Sequence, residues 1–103
     1  MEWSYQGITV LPPSIGDLTV DGHLDLANNK LESLPESFGS LAVGRNLDLH
    51  SNQLESLPES FGSLTVGDDL YLCDNPVAES LNVHSFPGLT LILVEPVSSS
   101  DDY

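Results

Sequence analysis

The chain has 103 residues, 40% of them hydrophobic, which is enough for one small domain with an apolar core. Its 16 Asp and Glu residues against 2 Lys and Arg give a formal net charge of −14, and such a surface repels nucleic acid and anionic membranes. Nucleic acid and lipid are therefore poor partner candidates, whereas a basic partner or cations are favoured.

The cysteine count and the N-terminal segment exclude further classes of protein. Cys73 is the single cysteine, which excludes an internal disulfide and a metal site of CxxC spacing. Residues 1–10 lack the basic and apolar regions of a signal peptide, and no window reaches the roughly 18 apolar residues that span a bilayer. We expect a cytoplasmic protein by default, with no membrane-inserted segment.

An internal repeat organises the sequence. The segment LESLPESFGSL at 31–41 recurs letter for letter at 54–64, and the same shift applied backwards finds a weaker copy at 11–18. A fixed period of this size indicates stacked units that bury a continuous core and touch only their neighbours. We expect three tandem repeats, at 11–33, 34–56 and 57–79.

The chain opens partway through a repeat. The shift that carries Leu31 onto Leu54 places Met1 and Trp3 where the first full repeat has Leu24 and Leu26. We therefore expect residues 1–10 to form a partial N-terminal repeat in which Trp3 caps the end of the core.

Each full repeat contains a leucine pair at alternate positions, the pattern of a short strand with one buried face. An asparagine follows at the third position after the second leucine, and an apolar residue at the second position after the asparagine. The leucine pairs are Leu24 and Leu26, Leu47 and Leu49, and Leu70 and Leu72; the asparagines are Asn29, Asn52 and Asn75.

This LxLxxNxL pattern, in units that begin LPxxfGxL, resembles the leucine-rich repeat family in its 23-residue variety. The resemblance implies an α/β fold: a right-handed solenoid segment with one parallel sheet on the concave side and short 3₁₀ or α turns or loops on the convex side. It also implies that Asn29, Asn52 and Asn75 form a buried ladder that satisfies backbone groups. An inward amide without partners would cost about 1 to 3 kcal/mol.

The strand entrance departs from the family pattern. The apolar residue expected three positions before the first strand leucine is replaced by Asp21, Gly44 and Gly67, and a valine stands one position earlier in each repeat. We interpret this as a one-residue adjustment in which glycine supplies a permissive backbone and valine fills the core.

The other half of each repeat is rich in Pro, Ser and Gly and too short for a long helix. Its two apolar residues are three positions apart, as in Phe38 and Leu41, so a single 3₁₀ or α turn would direct both inward.

The pattern decays after Asn75. Leu89, Leu91 and Leu93 alternate, which predicts a degenerate fourth turn over 80–95 that ends in a strand and acts as a C-terminal cap. The outward face of that strand (Thr90, Ile92 and Val94) is mostly apolar, so self-association or further repeats could dock there. We expect residues 96–103 to be a disordered acidic tail.

The polar strand residues differ between the two best-matching repeats, whereas the turn segments of these two repeats are identical. Stacked strands lie about 4.8 Å apart, so equivalent residues of successive repeats should sit side by side on the concave sheet. We expect this acidic face, with Tyr71 as its aromatic anchor, to bind a protein or a basic peptide; the simpler alternative is that its residues only solvate the sheet. The predicted binding residues are Asp25, Arg45, Asn46, Asp48, His50, Asp68, Asp69, Tyr71, Cys73 and Asp74.

Two chemical alternatives involve His50 and Cys73. With Asp48 or Asp74 they have the ligand types of a zinc site, but parallel side chains converge poorly on a tetrahedral centre. As a nucleophile pair they lack an oxyanion hole. No catalytic or phosphate-binding motif is present, so we expect a noncatalytic interaction module without cofactor or metal. The alternative is a ligand- or substrate-recognition fragment of a larger leucine-rich repeat enzyme or receptor.

Overall fold

The structure, a computed structural model, describes residues 1–82 and 85–93. The expected tail at 96–103, Val94 and the end of the expected fourth turn lie outside these residues. In the described part, the strands are β1 (Thr19–Val20), β2 (Leu24–Asp25), β3 (Ala42–Val43), β4 (Leu47–Asp48), β5 (Thr65–Val66), β6 (Asp69–Tyr71) and β7 (Thr90–Ile92). The 3₁₀ helices are Pro13–Asp17, Glu36–Ser40, Glu59–Ser63 and Pro76–Ser80.

The strands form two parallel sheets. The four-stranded sheet has the order β2-β4-β6-β7, and the three-stranded sheet has the order β1-β3-β5. The first is the predicted sheet, whereas the second was not predicted. It forms because the residue pair after each 3₁₀ helix is extended and bonds to the next repeat, as when Gly44 N–H donates to the Val20 carbonyl at 2.7 Å.

The register of the four-stranded sheet follows the sequence repeat. Leu24 pairs with Leu47 and Leu47 with Leu70, which confirms the sequence period as a structural period. Leu70 then pairs with Leu91, so the predicted fourth strand is present after a slightly shorter step than the one from Leu47 to Leu70. Equivalent leucines therefore lie abreast on adjoining strands.

The first residues extend the same sheet on its other side. Glu2 forms an isolated parallel bridge with Asp25, and Trp3 N–H donates to the Asp25 carbonyl at 2.8 Å. Trp3 is partly buried against the core, where it occupies the position that a leucine has in later repeats.

The core is one continuous cluster between the two sheets and the 3₁₀ helices. The paired leucines of the three repeats are completely buried, and the phenyl rings of Phe38 and Phe61 stack with centroids 6.2 Å apart and an interplanar angle of 4°. Phe86 continues this stack at a tilt, 5.1 Å from Phe61. Each turn of the chain therefore contributes equivalent side chains to the same core.

Glycine at the strand entrance is required by close packing between repeats. A Cβ on Gly67 would lie 2.0 Å from the Gly44 carbonyl oxygen, and one on Gly44 would lie 2.3 Å from that of Asp21. Neither glycine has a positive φ, so a permissive backbone is not the reason for glycine here. The valines fill the core as expected: Val20 and Val43 are buried, and Val66 packs against the same cluster.

The three repeated asparagines form a buried ladder. The Asn52 side-chain oxygen accepts the Leu31 N–H at 3.1 Å, and its nitrogen donates to the carbonyls of Leu26 and Leu49, both at 3.0 Å. Asn75 makes the equivalent bonds one repeat later, and Asn29 bonds back to the Trp3 carbonyl. Each ladder residue thus joins its own repeat to the preceding one.

The residue before each ladder position has a left-handed backbone. The φ angles of Tyr5, Asn28, Ser51 and Asp74 lie between 57° and 59°. Among the amino acids, Gly, Asn and Asp adopt this conformation most readily.

Candidate functional site

The outward side of the four-stranded sheet, opposite the leucines, is the candidate site, and we call it the sheet face. One row of side chains crosses every strand of this face, because each member pairs in register with the next. The row consists of Glu2, Asp25, Asp48, Tyr71 and Ile92. It changes from acidic at the N-terminal end to aromatic and aliphatic at the C-terminal end.

A second row lies beside it and is tied together by hydrogen bonds. The Asn46 N–H donates to Nδ1 of His23 at 3.3 Å, and the Asp69 N–H donates to Oδ1 of Asn46 at 2.9 Å. Asp69 pairs in register with Thr90. Because side chains of one strand bond to the backbone of the next, this row is fixed in position.

The equivalent positions Ala27, His50 and Cys73, which follow the strands, do not all project from the sheet. Cys73 is 1% exposed and Ala27 is 2% exposed, whereas His50 between them is only partly buried. The expectation that Cys73 points away from the core is therefore wrong. The chain already turns inward at this point, ahead of the left-handed residue and the ladder asparagine. A buried thiol also argues against the zinc and nucleophile alternatives.

His50 belongs to a polar cluster at the exit edge of the sheet. Its Nε2 lies 3.5 Å from Oδ1 of Asp48, and its Nδ1 lies 2.9 Å from Oγ of Ser51. The Ser51 hydroxyl donates to Oδ2 of Asp74 at 2.9 Å. This cluster joins two neighbouring repeats at their surface.

Two predicted residues occupy the opposite edge. Arg45 and Asp68 are exposed just before β4 and β6, and the Asp68 N–H donates to the Arg45 carbonyl at 3.1 Å. The predicted binding residues therefore lie in three places. Some belong to the two central rows, others lie at the two edges of the sheet, and Cys73 is buried in the core.

Three further residues of the face were not predicted to bind. Glu2 was assigned to a cap, although the repeat shift that carries it onto Asp25 was visible in the sequence. His23 aligns with Asn46 in the same way, and Ile92 was considered only as an outward residue of the last strand. All three occupy positions equivalent to a predicted binding residue in a neighbouring repeat, and this equivalence could have identified them.

The carboxylates of the central row are held by their own backbone. Oδ1 of Asp25 accepts the Ala27 N–H at 3.0 Å, and Oδ1 of Asp48 accepts the His50 N–H at 3.2 Å. The two bonds are the same interaction in successive repeats, and they fix both carboxylates in the same orientation. Side by side, they concentrate negative charge on the sheet face.

A groove of about 300 Å³ lies along this row. Its lining consists of Met1, Glu2, His23, Leu24, Asp25, Asn46, Asp48 and Tyr71. The groove thus has an acidic side, an aromatic end at Tyr71 and a leucine at its base.

The negative field acts on the Tyr71 hydroxyl. Burial raises the pKa of Tyr71 above its ordinary value, and the nearby carboxylates of Asp69 and Asp48 raise it further.

Neither a metal cluster nor a membrane-spanning helix is found in the described residues. No group of three or more His, Cys, Asp and Glu side chains in 1–82 and 85–93 is placed to hold a metal ion. None of the helices in this part of the chain has the length and apolar character that crossing a bilayer requires.

Parallel strands in register, short 3₁₀ helices and an asparagine ladder define a leucine-rich repeat solenoid. The family model described as Leucine Rich Repeat matches residues 23–41 and 45–64. These matches identify residues 23–64 as leucine-rich repeats, which generally serve as protein-interaction scaffolds. A search of curated proteins gave no match.

Proposed function

We propose that this chain is a noncatalytic protein-interaction module whose sheet face, as the concave side of the solenoid, binds a basic protein or peptide. One contrast carries the proposal: the turn segments at 31–41 and 54–64 are identical, whereas the outward residues of the strands that follow them differ. Asp48 and Tyr71, for example, are register partners of different chemistry. A surface that varies over a constant scaffold is suited to recognition.

The charge of the face supports a basic partner. The central row brings Glu2, Asp25 and Asp48 together on successive strands, so three carboxylates lie side by side on the sheet face. Complementary charge would speed the encounter with a basic segment and select against acidic ones. The proposed contacts are Asp25, Asn46, Asp48, Asp69 and Tyr71, with Arg45, His50, Asp68 and Asp74 at the margins.

A screen of random peptides against the immobilised protein tests this function. We expect enrichment of Lys- and Arg-containing sequences, and weaker binding of the selected peptides to Asp48→Lys and Tyr71→Ala. The matched control is Glu59→Lys, which introduces the same lysine in place of a carboxylate on a 3₁₀ helix away from the sheet face. Selected peptides that bind all three variants as well as the original protein would place the site elsewhere.

The second candidate is a recognition segment of a larger leucine-rich repeat enzyme or receptor. It is favoured by a groove of about 960 Å³ beside β7, whose apolar lining includes Leu81, Leu91 and Leu93. A further repeat, or a second copy of the chain, would cover these side chains. Sedimentation velocity over a wide concentration range tests this candidate, because a soluble monomer at every concentration argues against an uncovered docking edge.

A further inference from the structure

The groove on the sheet face has the geometry of a subsite for one side chain of a partner. It is lined in part by Asp25, Asp48 and Tyr71, which are consecutive members of the central row. Neighbouring strands are about 4.8 Å apart, so the two carboxylates and the phenol ring fall within reach of a single planar cation. The groove volume of about 300 Å³ is at the lower limit of small-molecule sites, which begin at about 300 Å³.

We propose that this groove binds one arginine side chain of the protein partner, with the guanidinium group between the Asp25 and Asp48 carboxylates and against the Tyr71 ring. The inference rests on the proposed function and specifies the chemistry of its partner. Ile92 follows Tyr71 in register, so the partner residue beside the arginine should be apolar.

The Asp25 and Asp48 carboxylates are already held in position before a ligand binds. Each is anchored through Oδ1 to the N–H of the second residue along the chain, so little side-chain freedom remains to be lost on binding. A fixed anionic pair beside the Tyr71 ring therefore favours a positively charged occupant.

Arginine fits these features better than lysine or a metal ion. A guanidinium is planar, can hydrogen-bond two carboxylates along its edges and can stack on an aromatic ring, whereas an ammonium group is a strongly hydrated point charge. A metal ion would need at least three converging ligands, and the described residues contain no such group. The aromatic end at Tyr71 thus discriminates between the two basic side chains.

Titration of the ¹⁵N-labelled protein with N-acetyl-arginine amide, followed by NMR, tests the subsite. We expect saturable shifts of the Ala27 and His50 amide signals, because these N–H groups bond to the Asp25 and Asp48 carboxylates. N-acetyl-lysine amide should bind more weakly. N-acetyl-citrulline amide has nearly the same shape without the charge and should produce no saturable shift. Equal responses to the arginine and citrulline probes would overturn the proposal.

Two variants with the same charge change separate a specific site from general attraction. Asp48→Asn keeps a side-chain oxygen for the His50 N–H, and we expect it to weaken arginine-amide binding about three- to tenfold. Glu59→Gln lies on a 3₁₀ helix and should leave binding unchanged. Equal weakening in both variants would show that only the net charge attracts the probe, which contradicts the subsite.

Failure of the arginine subsite can be distinguished from failure of the proposed function. Peptides that bind the sheet face with no dependence on their arginine residues would remove the subsite and leave the function in place. Peptides whose binding is unaffected by Asp48→Lys and Tyr71→Ala would remove the proposed binding face, whatever the small probe does.

Discussion

The side-chain nitrogen of Asn52 donates a hydrogen bond to the carbonyl oxygen of Leu26, in the preceding repeat, at 3.0 Å. The same side chain bonds to Leu49 within its own repeat and accepts the Leu31 N–H, so one amide satisfies several buried backbone groups. The asparagine ladder therefore stabilises the contact between neighbouring repeats as well as each repeat itself.

Replacing Asn52 by alanine should destabilise the whole chain. The change leaves the Leu31 N–H and the Leu26 and Leu49 carbonyls without their partner in a buried region. We expect the free energy of unfolding to fall by about 2 to 4 kcal/mol, measured by urea titration with circular dichroism. Gln53→Ala is the control at the exposed neighbouring position, and a similar small effect in both variants would contradict a structural role for the ladder.

Gly67→Ala should be destabilising and Gly22→Ala should not. An added methyl group at Gly67 would meet the Gly44 carbonyl, whereas at Gly22 no atom lies within 4 Å and φ is not positive. We expect Gly67→Ala to cost about 1 to 3 kcal/mol, as overpacking does. Gly22→Ala should be neutral or slightly stabilising because alanine reduces the freedom of the unfolded chain. Thermal melting of both variants tests the difference, and equal melting temperatures would show that the repeats can separate to admit a side chain.

Tyr5→Asn should stabilise the fold. Tyr5 is 77% exposed and has φ of 58°, which an aromatic residue tolerates poorly and asparagine accepts. Asn28 already occupies the equivalent position in the next repeat. We expect a gain of about 0.5 to 1 kcal/mol in the melting experiment, with Tyr5→Val lowering stability as the opposite control. An increase with valine would exclude the backbone as the cause.

Salt should raise the melting temperature. Asp25 and Asp48 are register partners, and Glu32 and Glu55 occupy equivalent positions in neighbouring repeats. Adjacent carboxylates repel each other, and salt screens this repulsion. Melting in low salt, in high salt and with millimolar calcium checks the effect, which Asp25→Asn should reduce. Identical curves in all three solutions would show that the stacked acids do not strain the fold.

Ionisation of the Tyr71 hydroxyl should make the stability of the fold depend on pH in the alkaline range. Because its pKa is raised in the folded chain, first by burial and then by Asp69 and Asp48, the unfolded chain loses this proton at lower pH. The contribution of Tyr71 to the free energy of unfolding is therefore constant below the ordinary tyrosine pKa of about 10. It decreases as the pH rises above that value. Tyrosinate absorbance during titration measures the shift, and Tyr71→Phe should remove a step that lies above the ordinary tyrosine pKa. A titration curve unchanged in that variant, apart from the loss of one normal tyrosine, would contradict the raised value.

The repeat period allowed most of this fold to be predicted from sequence. It correctly placed Leu24, Leu47 and Leu70 abreast and located the strand at Leu91, because identical spacing requires identical packing. The second sheet was missed because leucines such as Leu18 were assigned to the turns and the following valines to the entrance of the first sheet, so segments such as Thr19–Val20 were not recognised as strands. The error at Cys73 arose because alternation was extended beyond the end of the strand, where the backbone had already turned.

The identity of the segments at 31–41 and 54–64 has a consequence for how such a molecule could be altered. Because each unit ends in the same backbone position from which the next begins, a duplicated unit could be spliced between them without redesigning either neighbour. The graft would widen the proposed recognition surface by one strand and leave its two ends intact. Evolution or a protein engineer could thus lengthen this surface in discrete steps of one whole unit.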